Sequence, residues 1–391
     1  MLQFEQAYKT VMGCARVLGS ERVELESAVG RVLAQDIISD VDLPPFKKSA
    51  MDGFACRRQD LTGELTIVET IAAGAIPQKT IGPSQCARIM TGAQVPDSAD
   101  CVIMVEFTKM SGEDKVRFTG TETADNICMR GEDIKTGQVV LCKGALLRPQ
   151  HIAILASVGC TRPPVAVRPK VGIIATGNEL VEPGRKPAHS QIRNSNSSQL
   201  SAHLAGIANS QNYGVISDSK EVIGRVLRKA VGENNVVIVT GGASVGDYDF
   251  VPRAFKDNGV EIVFEKIAIK PGKPTVFGIK DRSFCFGLSG NPAACFVIFE
   301  LLVKPFLYRL MGHNYKDRFA RLEMAETIKR KRADGRATYF PVAITDEGLA
   351  RAVDYHGSAD IGAMCEADGL LCMETGICQI KKGTVVKVRL I

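Results

Sequence analysis

Carboxylates and small polar residues in this chain gather where runs of β-branched residues stop. The run 171–175 leads into Thr176-Gly177-Asn178-Glu179, and 214–217 into Asp218. The run 236–239 leads into Thr240-Gly241-Gly242 with Ser244, Asp247 and Asp249 behind it, and 284–288 into Ser289-Gly290-Asn291-Pro292. Glycines after a buried strand let the backbone turn sharply without a side-chain clash. In an open parallel sheet, ligands bind beyond the carboxyl ends of the strands. Glu179, Asp218, Asp247 and Asp249 would then share one edge. Two carboxylates about 4 Å apart repel by about 4 kcal/mol at an effective dielectric of 20. A hard divalent ion such as Mg²⁺, held by one or two carboxylates and by substrate phosphate oxygens, relieves that repulsion. Asp218 has a competing role as N-cap of the helix beginning near Lys220. Asn291 as cap, with Pro292 in the first helical position, would leave backbone N–H groups facing a phosphate, or would do no more than cap the helix. The spacing over 240–249 is neither G-x-G-x-x-G nor a phosphate-loop pattern, so an ordinary strand-to-helix turn competes with a ligand loop there.

Two lysines stand on a stiff mount. In "KPGKP", Lys270 and Lys273 flank a turn held by Pro271 and Pro274 around Gly272. Fixing a lysine costs up to about 2 kcal/mol of rotamer entropy, so rigid placement suits an anion site; an exposed hairpin tip is the alternative. A further cluster lies in "PPFKKSAMDGFACR" and "ARIMTGAQVPDSADCVIMVEF", where Asp52-Gly53 and Thr91-Gly92 each read as a turn. Nothing in composition or spacing joins that cluster to the sheet edge.

The elements that must carry these residues divide the chain. An amphipathic opening helix is followed by a second short helix in "ESAVGRVLAQDIISDVDLPP", closed by Pro44-Pro45. Short strands such as "LTIVETI" and "CVIMVEF" suggest a small β-rich domain over 46–139. "RPQHIAILASVGC" is helical again and "TRPPVAVRPK" reads as a stiff linker, so 1–45 and 140–168 form one discontinuous, largely helical domain. From 169 to 313 strands and helices alternate, which predicts an α/β domain with a mostly parallel sheet. Residues 314–391, with "ATYFPVAI" and "TVVKVRLI", predict a small β-barrel or sandwich.

With 391 residues, several cores can each bury a substantial interior. A hydrophobic share of 45% and a charged share of 24% are those of a soluble globular protein, and the absence of Trp argues against base-stacking surfaces and nucleic acid. The net charge of +6 is modest, and the run Lys329-Arg330-Lys331-Arg332 reads as a solvated face. Scattered cysteines without a C-x-x-C pair read as reduced core residues. With no signal-peptide pattern and no membrane-length apolar run, the expected compartment is the cytoplasm, away from the membrane.

In chain order, "PPFKKSAMDGFA", "RIMTGAQVPDSADCVIMVE", "RGEDI", "IIATGNELVEPG", "IVTGGASVGDYDFV", "AIKPGKP" and "GLSGNPAACFVIFELLVKP" resemble the motifs of the molybdopterin molybdenumtransferases, the MoeA family, which includes the C-terminal domain of gephyrin. The resemblance runs from about residue 2 to residue 391. It implies four domains in an L shape, the third a three-layer, MogA-like α/β unit, and a homodimer whose second domain faces the partner's third to form shared active sites. It further implies insertion of molybdate into adenylyl-molybdopterin, with release of AMP and use of Mg²⁺ or a similar ion. By the same resemblance Asp52, Thr91, Glu179, Asp218 and Asp249 are tied to activity, the last three as metal ligands, while Lys270 and Lys273, with Pro274, hold oxyanion. Gly241, Gly242, Ser244, Ser289, Gly290 and Asn291 face substrate, and Arg336 in "DGRATYF" and Ser358 in "YHGSADI" reach toward molybdate. Ser289 stands where the family often has proline, Asn178 replaces a frequent aspartate, and Pro341 stands where a second basic residue is usual. The family's chemistry makes the molybdopterin adenylyltransferase and molybdoenzyme chaperones candidate partners. A receptor-clustering scaffold like gephyrin would not need intact acids and lysines, and the adenylyltransferase step would need only the third domain.

Overall fold

The run Val236–Thr240 is buried along its whole length because strands pair with it on both sides and helices cover both faces. In the computed structural model, which describes residues 1–242, 250–330 and 335–391, it lies within a six-stranded sheet. The strand order is Asn209–Ile216, Lys170–Thr176, Val236–Thr240, Ser283–Leu288, Val276–Lys280, Glu261–Phe264. The first four run parallel, Val276–Lys280 runs antiparallel to them, and Glu261–Phe264 pairs antiparallel with Val276–Lys280. Alternate residues of each strand face opposite ways. Val236 and Ile238 therefore join Leu200 and Leu204 on one face, while Val237 and Val239 join Leu227 and Phe255 on the other. The helices follow from this division: α1 (Phe4–Cys14), α3 (Ser195–Leu204), α6 (Pro292–Ile298) and α7 (Lys304–Leu310) share the first core. α4 (Lys220–Glu233) and α5 (Phe250–Asp257) share the second, and α2 (Pro149–Ser157) packs elsewhere.

Several expectations need correction. The second short helix is one 3₁₀ turn over Leu25–Ser27, after which the chain pairs its backbone with 145–147 rather than with itself. "TRPPVAVRPK" is not a linker, because Pro164–Ala166 pairs antiparallel with Ser20–Arg22 and is buried. α1 docks on the α/β unit: Ala7 and Val11 sit in its core, Leu2 bridges to Ile267, and Phe4 packs edge-on against Tyr339.

Residues 46–139 contribute a second six-stranded sheet, in which Gly53–Cys56 lies between Cys101–Met104 and Gln85–Ile89. A third sheet joins Ala337–Ile344, Gly369–Met373, Val385–Leu390 and Phe319–Glu323 around Met324, Val342, Leu371 and Val388. It is not built from the C-terminal residues alone. Ile269–Lys270 forms its first strand, with Lys270 opposite Thr338.

Between α6 and α7 the helix widens into a π turn, Phe299–Val303. Glu300 in that turn is 3% exposed and accepts from Arg389 on the last strand at 3.2 Å and from Lys304 at 3.1 Å, with His203 Nδ1 3.4 Å away. Arg389 also donates to the Glu300 carbonyl at 2.6 Å. Burial alone would raise the Glu300 carboxyl, but the His203 hydrogen bond and the charges of Lys304 and Arg389 outweigh it and bring it down to about 2.

Candidate active site

Two clefts open at the carboxyl edge of the α/β sheet, and one loop forms a wall of both. The first, about 470 Å³, is lined by Thr176, Glu179, Asn196, Thr240, Gly241, Gly242 and Gly290, among others. Gly241 has φ +94, and a Cβ there would lie 2.1 Å from the Thr176 carbonyl, so only glycine lets the turn pass this close to the neighbouring strand. Glu179 is exposed, and its carboxylate folds back over Gly177, whose added Cβ would meet Oε1 at 2.6 Å. Asp218 lies beside that loop rather than in the lining: Asn178 and Asp218 exchange backbone-to-side-chain hydrogen bonds of 3.2 Å. It is not the cap of α4. Ser219 occupies the N-cap position and accepts from the Val222 N–H.

The remaining oxygen of Asp218, Oδ1, is buried without a hydrogen-bond partner among the described residues. Such an acceptor has an unmet demand that a hard, oxygen-seeking cation satisfies, so Asp218 with the nearby Glu179 fits a divalent ion. No group of three or more His, Cys, Asp or Glu side chains arranged for a metal exists among the described residues. Ser244, Asp247 and Asp249 lie outside the described residues, directly after Gly242.

The second cleft, about 490 Å³, is lined by Lys270, Lys273, Pro274, Arg330, Arg336 and Ser358 together with Ser289 and Asn291, which also line the first. "KPGKP" is no exposed hairpin tip: Pro271 and Gly272 are buried, Thr275 Oγ1 donates to the Gly272 carbonyl at 2.7 Å, and Lys270 sits on a paired strand. The start of α6 also differs from expectation. Asn291 makes no side-chain cap; its amide donates to Ser358 Oγ at 2.8 Å, and the Ser358 carbonyl takes the N–H groups of Ala293 and Ala294. The C-terminal domain thus occupies the helix end on which a phosphate was expected.

Arg330 and Asn196 are among the cleft residues that the sequence did not single out. Arg330, grouped there with a solvated charge run, is anchored by Thr338 Oγ1 and by the Glu374 carbonyl within the second cleft. Asn196, hidden in "NSNSSQL", is buried at the start of α3; its only signal was a polar residue among helix-start polar residues.

Asp52 and Thr91 meet each other, but not either cleft. Asp52 Oδ1 accepts from the Thr91 N–H at 2.6 Å and from its hydroxyl at 2.7 Å, and those bonds, the backbone one first, hold the carboxyl below its usual range. Both residues are exposed. Behind them Gly53 is required by contact, since a Cβ would fall 1.9 Å from the Ile103 carbonyl.

Among known proteins, residues 2–159 match the MoeA N-terminal region (domain I and II), 172–309 a probable molybdopterin binding domain, and 323–391 the MoeA C-terminal region (domain IV). The chain is 35% identical over 401 residues to a molybdopterin molybdenumtransferase of Staphylococcus epidermidis, covering 99% of this chain and 95% of that protein. It is 36% identical over 390 residues to that of Bacillus subtilis, covering 95% and 90% respectively. The crystal structure of the molybdopterin biosynthesis MoeA protein from Pyrococcus horikoshii OT3 is similar with a TM-score of 0.87 and 30% identity over the whole of both chains. On these matches, the chain belongs to the molybdopterin molybdenumtransferases, the MoeA family of molybdenum cofactor biosynthesis enzymes.

Proposed function

We propose that the enzyme inserts molybdate into adenylyl-molybdopterin and releases AMP, with Mg²⁺ or a similar ion bound at Glu179 and Asp218. The observation that supports this reading is the pair of clefts with a common wall. One is glycine-lined and carries one charge of each sign, Glu179 and Arg193, and the other gathers Lys270, Lys273, Arg330 and Arg336. The first suits the pterin nucleotide, because glycine turns let backbone approach a phosphate. The second suits a tetrahedral dianion, which the lysines attract as compact charges and the arginines through planar donors. Bound at the carboxylates, a divalent ion would neutralise phosphoryl charge as the pyrophosphate link breaks. Asp249 belongs to the same proposal as a third acid.

Asp52 and Thr91 enter through the dimer. Lying exposed on a separate sheet, they would complete the site of a partner subunit, which makes the active form a homodimer in the cytoplasm. Among the described residues no helix is long and apolar enough to cross a membrane.

The test is single-turnover AMP release from adenylyl-molybdopterin with molybdate and Mg²⁺ supplied or withheld. Release should require both, be lost in Asp218→Asn, and need more molybdate in Lys273→Ala. Release that ignores molybdate, or an unchanged molybdate dependence in the lysine variant, would overturn the assignment of the clefts.

A further inference from the structure

The wall between the clefts is held by one buried amide. Asn196, 7% exposed, donates through Nδ2 to Thr240 Oγ1 at 2.7 Å and to the Gly290 carbonyl at 2.9 Å. Thr240, 1% exposed, donates through its hydroxyl to the Ser289 carbonyl at 3.1 Å. The result is a closed relay from the start of α3, through the end of the central strand, to two successive carbonyls of the 288–291 loop. Asn196 stands on the first turn of α3, which Asn194 caps by accepting from the Ser197 N–H at 3.1 Å, and its own Oδ1 is buried without a hydrogen-bond partner among the described residues. On the far side of the wall Ser358 ties the same segment, accepting from the exposed Asn291 amide through Oγ and from the Ala293 and Ala294 N–H groups through its carbonyl. Asn196 and Thr240 line the first cleft and not the second, yet the loop they hold lines both.

We infer that Asn196 is a positioning residue that sets the oxyanion cleft from the opposite side of the wall, acting through Thr240 and the carbonyls of Ser289 and Gly290. The chemistry requires this side chain. A primary amide carries two N–H donors on one atom and so can satisfy two acceptors. An isosteric carboxylate has none and would face two oxygens. Serine is too short for both, and a buried carbonyl left without its donor is costly. The role of the wall in separating pterin nucleotide from oxyanion rests on the proposed function; the anchoring of the loop does not.

Two readouts keep these apart. Hydrogen exchange of the segment 288–295 reads the wall with no ligand present. Asn196→Asp and Thr240→Val should each speed it about tenfold, the equivalent of one lost buried hydrogen bond, while 171–175 stays protected. Thr240→Ser, which keeps the hydroxyl, should exchange like the wild type. Calorimetric titration with molybdate then reads the second cleft: the dissociation constant should rise about tenfold in Asn196→Asp and Thr240→Val and stay within twofold in Thr240→Ser. If Asn196→Asp unfolds, Thr240→Val carries the test. Unchanged exchange in Thr240→Val overturns the anchoring. A wild type that binds molybdate and a Thr240→Val variant that binds it equally well overturns the action across the wall, and a wild type that ignores molybdate counts against the proposed function alone.

Discussion

Replacing Glu300 by Gln tests whether a buried charge cluster clasps the C-terminal domain onto the α/β unit. The carboxylate stands among Arg389, Lys304 and His203, 3% exposed, and its carboxyl lies at about 2 against an ordinary 4.5. A shift of that size corresponds to roughly 3 kcal/mol of stability at neutral pH. The direct argument agrees in direction: removing one member of a buried ion pair costs up to about 3–5 kcal/mol, and here Asp317, 2.9 Å from Arg389, keeps part of that charge compensated. Because the folded-state value lies below the unfolded one, the contribution is complete above about pH 4.5 and is lost as the pH falls toward 2. At pH 3 about 1 kcal/mol should remain. For a unit of 150–250 residues each kcal/mol moves the melting temperature by about 2–4 °C, so the variant should melt on the order of 10 °C lower at pH 7 and much closer to wild type at pH 3. Scanning calorimetry at both pH values measures this, followed on the transition that carries the C-terminal sheet. A variant that melts with the wild type at pH 7, or a gap that widens on acidification, would refute the reasoning.

Gly53→Ala should destabilise the 46–139 sheet by more than about 3 kcal/mol, since its Cβ would collide with backbone rather than with a movable side chain; loss of protection confined to that sheet in hydrogen exchange would confirm it. Mixing inactive Asp52→Ala and Asp218→Asn chains should recover about a quarter of the wild-type rate, because random exchange makes about half heterodimers with one intact site each. An isolated, folded heterodimer as inactive as its parents would rule out a shared site.

The sequence was legible where local pattern and tertiary role coincide. Val236–Thr240 reads as a doubly covered strand because both of its alternating faces are apolar, and Gly241 and Gly242 after it line a cleft at the sheet edge. It was illegible where partners come from far along the chain. Nothing near Asn291 announces that Ser358 will take the first N–H groups of its helix, and the loops that meet there are separated by more than sixty residues. Pro163-Pro164 suggested a linker because proline cannot donate to a ladder, yet an edge strand needs fewer donors, and Ser20–Arg22 supplies the rest. Asp218 looked like a cap because it precedes a helix; Ser219, one residue nearer, does that work and leaves an aspartate oxygen unclaimed.

The docking of α1 also has a consequence for how the chain comes off the ribosome. Leu2 pairs with Ile267, Ala7 and Val11 enter a core completed by α7, and Phe4 rests on Tyr339. At about 5–20 residues per second, roughly 15–50 s separate the synthesis of this helix from that of its first partner. Throughout that interval its apolar stripe has no native surface to cover it, while the sheet of 46–139 can already close. This early helix is therefore among the last elements to find its place, and the nascent chain carries an exposed adhesive segment until its partners are made. Holding that segment out of trouble falls to chaperones or to the speed of translation itself.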